Sequence, residues 1–409
     1  MRRIWPLLLI FFFLFTGARG GISRGGGASN PGIQYPWRFG ILSDTHANWG
    51  FGRCGDVANT IPLRACVDTL NSLHVDFCIL NGDWGGGHIY GADNVIHQEQ
   101  IDSLSAAMLN RVTFPVYPVL GNHEAHRDDT TAVVNPYAQA IARFPQYFVG
   151  RNYYLQDWKN VRFVALNTNV NYDVHDIGDY IVNNPFEYSA VGGVPAYDYD
   201  GIHAASGAQR TFLTGALSGR PGSHWLVFGG HRGIYGSSAN NDYRHNYNAG
   251  RSGRYVKQVE DALATGERGL MISGDQHIPV WLTKAIADSA VVGATAKGFY
   301  HMIVASGSGA RVADSTEVFG GPGLQAFAYY DQTTRNRGRT SAGWLESMTV
   351  ANDPGLPCQF TWALCTVYGD LIQIEFFRTY TSASAGSTGY PGANRHRLIS
   401  RHTLSRDVG

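Results

Sequence analysis

Apolar runs and polar breaks alternate along the first 310 residues in a way that predicts strands and helices in turn. Trp37-Arg-Phe-Gly-Ile-Leu42 is apolar at nearly every second position and predicts a strand. From Ile61 to Leu73, apolar residues Leu63, Cys66, Val67 and Leu70 recur at helical spacing. Asp76 to Leu80 predicts the next strand, Val95 to Leu109 an amphipathic helix, and Val116 to Leu120 a third strand. Strand, helix, strand, helix, strand predicts right-handed crossovers and a sheet with helices on its outer face. Tyr153 to Leu155 and Val161 to Asn167 read as strands joined by a turn, and Gln209 to Leu217 as a short helix. Trp225 to Phe228 and Leu270 to Ser273 are strand-like, as are His301 to Ala305, Phe360 to Val367 and Leu371 to Phe377. Residues 172 to 205 and Val312 to Pro357 lack periodicity and read as loops.

The ends differ from the body. Arg2-Arg3, the apolar run Ile4 to Phe15 and the small residues Ala18-Arg-Gly20 have the form of an export signal over residues 1–20. The run is short for a membrane span, with an uncleaved anchor as the alternative. The expected mature protein is therefore exported (secreted, periplasmic or lumenal), with no stable membrane span. A Gly/Ser-rich linker follows over 21–34, then one globular domain over 35–380, then a polar, Arg-bearing tail over 381–409.

Composition narrows the function. Lys+Arg and Asp+Glu are both 32, so the net charge is zero and no basic face for nucleic acid is expected. A hydrophobic fraction of 44% is ample for a large core. Of five cysteines, Cys358 with Cys365 and Cys54 with Cys66 are spaced to form clips, while Cys78 lies in an apolar strand as a buried thiol.

Five short blocks carry the chemistry: Asp44-Thr-His46, Gly82-Asp83, Gly121-Asn122-His123-Glu124, Gly230-His231 and Gly274-Asp275-Gln-His277. Each follows an apolar run, where a strand delivers side chains to a common end. Carboxylates, an amide and imidazoles suit Zn, Mn, Fe or Mg rather than Ca, and a pair of such ions activates water against a phosphate ester. Gly-Asp alone is usually a turn and a lone Gly-His an ordinary histidine; the ordered set of five is what points to a site.

The series resembles the calcineurin-like metallophosphoesterases. Its flanks, Trp225-Leu-Val-Phe-Gly-Gly-His231-Arg-Gly-Ile-Tyr235-Gly-Ser-Ser238 and Gln209-Arg-Thr-Phe-Leu213, resemble the purple acid phosphatase branch. The resemblance covers residues 37 to 309. It implies an α/β fold, a four-layer αββα sandwich of two mixed β-sheets flanked by helices, with metals at one end between the sheets. It implies that Asp44, His46, Asp83 and His277 hold one metal, and that Asp83, Asn122, His231 and Asp275 hold the other. His123 would meet the substrate phosphate and Glu124 would orient it. His126, Arg127 and Tyr235 are further substrate-side residues, each equally readable as a solvated loop residue.

Three positions depart from that branch. Its chromophoric Tyr is replaced by Gly86, while His46 supplies a ligand the branch usually lacks. The last block has Asp275 where the family has His, which would harden the second metal's shell or weaken its hold. The expected activity is hydrolysis of a small-molecule phosphate ester, monoesters first. Diesters on the same site are the alternative, as is a non-catalytic binding protein with a degenerate second metal site.

Overall fold

Among the described residues, the computed structural model holds thirteen strands and the helical segments named below. It describes residues 33–47, 60–85, 100–121, 124, 142–148, 151, 153–168, 208–222, 224–231, 269–274, 280–284, 300–303, 344–349, 360–380 and 395–405. The strands are β1 (Trp37–Leu42), β2 (Phe77–Asn81), β3 (Val116–Val119), β4 (Tyr154–Trp158), β5 (Val161–Leu166), β6 (Trp225–Gly230), β7 (Leu270–Ser273), β8 (Val280–Lys284), β9 (Tyr300–Ile303), β10 (Trp344–Thr349), β11 (Phe360–Val367), β12 (Leu371–Tyr380) and β13 (Arg395–Ser405). The helices are α1 (Thr60–Ser72), α2 (residues 100–109), α3 (Pro145–Phe148) and α4 (Ala208–Ser218).

Six strands form one sheet in the order β13-β12-β11-β1-β2-β3, and seven form the other in the order β10-β8-β9-β7-β6-β5-β4. Both are mixed: β1, β2 and β3 are parallel, while β11, β12 and β13 continue that sheet antiparallel. Strands β5, β6, β7 and β9 are the parallel centre of the other. The expected two-sheet α/β architecture is the one observed.

Alternation along each strand sends one set of side chains between the sheets and the other outward. From β1, Trp37 and Phe39 point inward; Phe39 stacks on Phe77 of β2 at 4.9 Å, and Phe77 meets Tyr117 of β3 at 4.9 Å. Tyr117 stacks against Phe163 of the opposite sheet at 6.3 Å, and Trp37 donates its indole N–H to Asn160 Oδ1 at 3.0 Å. This aromatic seam joins the sheets, and each of these rings removes a large apolar area from water. On the outer face, α1 buries Leu63, Cys66, Val67 and Leu70. Helix α2 ends in a π turn over Ser105–Leu109, where the Asn110 N–H donates to Ser105 O at 2.9 Å.

Three expectations need correction. The stretch from residue 395 to 405, read as part of a polar tail over 381–409, is strand β13 on the edge of the first sheet. Its residues match an edge strand: Leu404 is buried, His402 packs edge-on to Phe376 at 5.9 Å, and the neighbouring Arg401, on the other face, reaches Glu375 at 2.6 Å. One buried face and one charged face is how an edge strand reads, and its polarity hid it. Strand β10 lies within a segment read as loop; it pairs with β8, more than fifty residues earlier, across a bulge between Glu346 and Met348. Third, Cys66 and Cys365 are free, buried thiols like Cys78, not members of disulfide clips. Cys66 faces the sheet and lies 3.1 Å from the Thr379 hydroxyl, and burial raises its pKa well above the usual thiol range. Cys54 and Cys358 lie outside the described residues.

Candidate metal centre

The blocks after β1 and β2 are tied to each other beyond the strands. The Asp44 N–H donates to Gly82 O, the His46 N–H to Asp83 O and the Ala47 N–H to Trp84 O, each at 3.0 Å. The Thr45 hydroxyl adds a bond to Trp84 O at 3.0 Å. Parallel pairing therefore continues through both loops. It does so over backbone that L-residues rarely adopt: φ is 52° at Asp44, 37° at His46 and 50° at Asp83. Each such residue costs about 1–3 kcal/mol and persists only where its surroundings hold it.

The strain aims side chains at one point. Ligating atoms of Asp44, Asp83 and His231 all lie within 4.8 Å of one another, and all three residues are buried. His231 Nε2 is 3.1 Å from Asp83 Oδ2 and 3.9 Å from Asp44 Oδ1; His46 Nε2 is 3.7 Å from Asp83 Oδ2. His231 Nδ1 is 2.8 Å from the Asn81 carbonyl oxygen. A carbonyl can only accept, so the proton sits on Nδ1 and the Nε2 lone pair faces the carboxylates. Two buried carboxylates and an imidazole lone pair this close repel one another unless positive charge lies among them. Separations near 3 Å between nitrogen and oxygen are those of neighbouring ligands on one ion. The donor set thus fits a metal.

A single carboxylate holds the Asp83 turn. Glu124, fully buried, accepts backbone N–H bonds from Asp83 (2.8 Å), Trp84 (2.8 Å), Gly85 (3.1 Å) and Gly121 (2.8 Å). Burial and the nearby Asp83 carboxylate push its pKa up to about 8, while His231 and the Gly121 and Gly85 N–H groups hold it down. A Cβ at Gly121 would collide with Asp83, so only glycine lets the third block close on the second. Gly274 is equally confined: a Cβ there would strike Ser43 Oγ and Asp44, and its N–H donates to His231 O at 2.8 Å. The start of the fifth block is therefore seated on the first and fourth.

A family model described as calcineurin-like phosphoesterase matches residues 38–279. The chain belongs to that family. No curated protein matches the sequence. Among solved structures it is similar to the purple acid phosphatase PPD1 from yellow lupin (Lupinus luteus) seeds, at 13% identity and a TM-score of 0.51. That match covers 92% of this chain and 55% of the lupin protein, so the chain spans little more than half of its length. It is also similar to PhoD, at 11% identity, a TM-score of 0.52, and coverage of 91% and 70%. At such identities the likeness is one of fold.

Calcineurin-like phosphoesterases hold a dinuclear metal centre. Of the residues expected to serve one here, Asp44, His46, Asp83 and His231 are brought together. Asn122, His123, Asp275, His277, His126, Arg127 and Tyr235 lie outside the described residues. Glu124, expected to orient His123, has another task in view: it gathers the backbone of the Asp83 turn. Sequence reasoning missed Ser43 and Asn81. The Ser43 hydroxyl lies 2.6 Å from Asp44 Oδ2 and 2.8 Å from Asn81 O, between two ligand-bearing loops. Their one sequence signal is position, since each directly precedes a block.

Replacing Glu124 by Ala strands four backbone donors, and at about 1–3 kcal/mol for each buried donor left unsatisfied it should cost at least about 4 kcal/mol. Urea denaturation should show that loss, and metal titration a weakened affinity. Unchanged stability would mean that the turn holds itself.

Proposed function

We propose that this protein is an exported, metal-dependent phosphoric ester hydrolase acting first on monoesters. The observation that carries the reading is the convergence of Asp44, His46, Asp83 and His231 in a buried cluster whose geometry fits metal ligands. Bound divalent or trivalent ions (Fe, Mn, Zn or Mg) would supply charge stabilisation at the phosphoryl group and acidify water. Asp83 contacts both His46 and His231 and is the residue suited to lie between two ions. The bond between His231 Nδ1 and the Asn81 carbonyl keeps Nε2 in its ligating form. Asn122 and His277 complete the set, with Asp275 as a carboxylate ligand of the second ion. His123 donates a hydrogen bond to the phosphoryl group or a proton to the leaving oxygen. His126, Arg127 and Tyr235 line the substrate side. His46 takes the place of the missing tyrosine ligand at Gly86.

Export rests on the N-terminal signal pattern. Among the described residues no helix is long and apolar enough to cross a membrane. Phosphodiester hydrolysis on the same site is the second reading, because a cluster of carboxylates and imidazoles activates water against either ester class.

The deciding assay is hydrolysis of p-nitrophenyl phosphate and of its bis-ester, with Mn²⁺ and with chelator. Turnover should be lost in chelator and in Asp83→Ala, and the ratio of the two substrates separates monoesterase from diesterase. No turnover with any divalent metal would favour a binding protein on this scaffold.

Purified holoprotein should contain about two metal ions without a strong visible tyrosinate-to-iron band, and Asp275→Ala should lower the count toward one. A purple protein, or unchanged metal content, would remove His46 or Asp275 respectively from its assigned role. N-terminal sequencing of the protein from the host's exported fraction should begin near residue 21; an intact Met1 there would argue for an uncleaved anchor.

A further inference from the structure

A row of buried polar side chains crosses the first sheet at its metal end. Thr361 of β11 pairs with Arg378 of β12. Continued two residues past the pair Ile41 and Ala363, the β1–β11 register sets Ser43 beside Thr361. Continued one residue past Leu42 and Leu80, the β1–β2 register sets Asn81 beside Ser43. The bond from the Asp44 N–H to Gly82 O shows that this pairing does continue. Paired residues share a face, and two steps along a strand return to it. Ser43, Thr361 and Arg378 therefore share the face of Ile41, Ala363 and Phe376, which looks toward the second sheet. Helix α1 covers the opposite face, where Cys66 meets Thr379.

The polar groups of this row are out of water, and Arg378 and Asn81 have side-chain atoms without hydrogen-bond partners. Ser43, Thr361 and Asn81 are all buried, and Arg378 is only 4% exposed. Among the described residues, Arg378 Nε and Nη2 have no hydrogen-bond partner, and neither do Nδ2 and Oδ1 of Asn81. A guanidinium is always charged, and a buried charge without a counterion is strongly unfavourable. The residues preceding Arg378 on the same face, Ile372, Ile374 and Phe376, are apolar and buried. An oxyanion would meet both open guanidinium nitrogens in a forked bond.

The position connects this cation to the metal centre. Strands β12 and β1 run the same way, so Arg378 lies at the sheet end from which Asp44 emerges. Two strand spacings, about 10 Å, separate it from Ser43. We propose that Arg378 forms an oxyanion-binding site between the sheets that holds an anionic group of the phosphoester substrate. This rests on the phosphoesterase reading above. The anion is either the reacting phosphoryl group or a second acidic group on the same molecule.

Calorimetry and kinetics on the metal-loaded protein test it. Inorganic phosphate, glycerol 3-phosphate and 3-phosphoglycerate are the probes, the last differing from the second by a carboxylate in place of an alcohol carbon. Arg378→Met, which keeps the stem's volume, should weaken binding by about tenfold or more with metal content unchanged. KM should rise while kcat holds. Arg378→Lys, which keeps charge but not the fork, should fall between. Loss confined to 3-phosphoglycerate assigns the second acidic group; loss with all three probes assigns the phosphoryl group. Wild-type affinities in Arg378→Met overturn the proposal, and if that variant does not fold, wild-type affinities in Arg378→Lys do so. Probe binding that depends on Arg378 in a protein that hydrolyses nothing would sink the hydrolase reading and leave the anion site standing.

Discussion

The turn that carries Asp83 is held from below by one carboxylate. Glu124 accepts from four backbone N–H groups, three of them consecutive from Asp83 to Gly85. Such a turn exposes its donors to a buried interior, where each would otherwise lack a partner. The same turn forces Asp83 into the left-handed region at φ 50°. Four backbone N–H bonds gathered on one buried acceptor can offset local backbone strain of a few kcal/mol. Because Gly121 supplies the fourth donor, the anchor also fixes where the third block begins. The spatial relation of two blocks thus depends on a residue expected only to steer a histidine.

The pairing of the first two blocks extends this constraint. Asp44 and His46 are held to Gly82 and Asp83 by ladder bonds that outlast the strands. Moving one loop therefore moves the other. His231 arrives from the opposite sheet, and the Asn81 carbonyl orients its ring. The aromatic seam from Trp37 through Phe77 and Tyr117 to Phe163 sets how far apart the sheets lie. That seam determines whether His231 can reach Asp83 at all, which links core packing to ligand geometry.

Sequence pattern made the centre of both sheets legible. Strands β1, β2, β3, β5, β6, β7 and β11 are apolar on both faces or nearly so, and their signal is local. The clustering of Asp44, His46, Asp83 and His231 was legible because side chains delivered at strand ends leave a fixed order of short blocks. What escaped was set by distant partners. Strand β13 is polar on one face and gains its place only by pairing with β12. Strand β10 depends on β8 across a long gap. Cys66 and Cys365 were read by their spacing, yet their positions on α1 and β11 turn them into the core. The task of Glu124 was hidden too, since nothing in a Gly-Asn-His-Glu string says which backbone will fold under its last residue.

The two ends of the sandwich divide stability from chemistry. Near Trp37 the space between the sheets is filled by stacked rings and a satisfied indole bond. At the other end the same faces carry Asn81, Ser43, Thr361 and Arg378, then the ligands themselves. An apolar replacement at Arg378 or Asn81 would bury more hydrocarbon and remove unsatisfied polar atoms, so by packing alone these two residues are unfavourable. Proteins retain such groups where a ligand completes them, because buried donors that cost stability when empty discriminate strongly once a partner arrives. The row and the carboxylate cluster lie at the same end of the sheet, and their charges are of opposite sign: negative at Asp44 and Asp83, positive at Arg378. A phosphate ester held as proposed would lie between them.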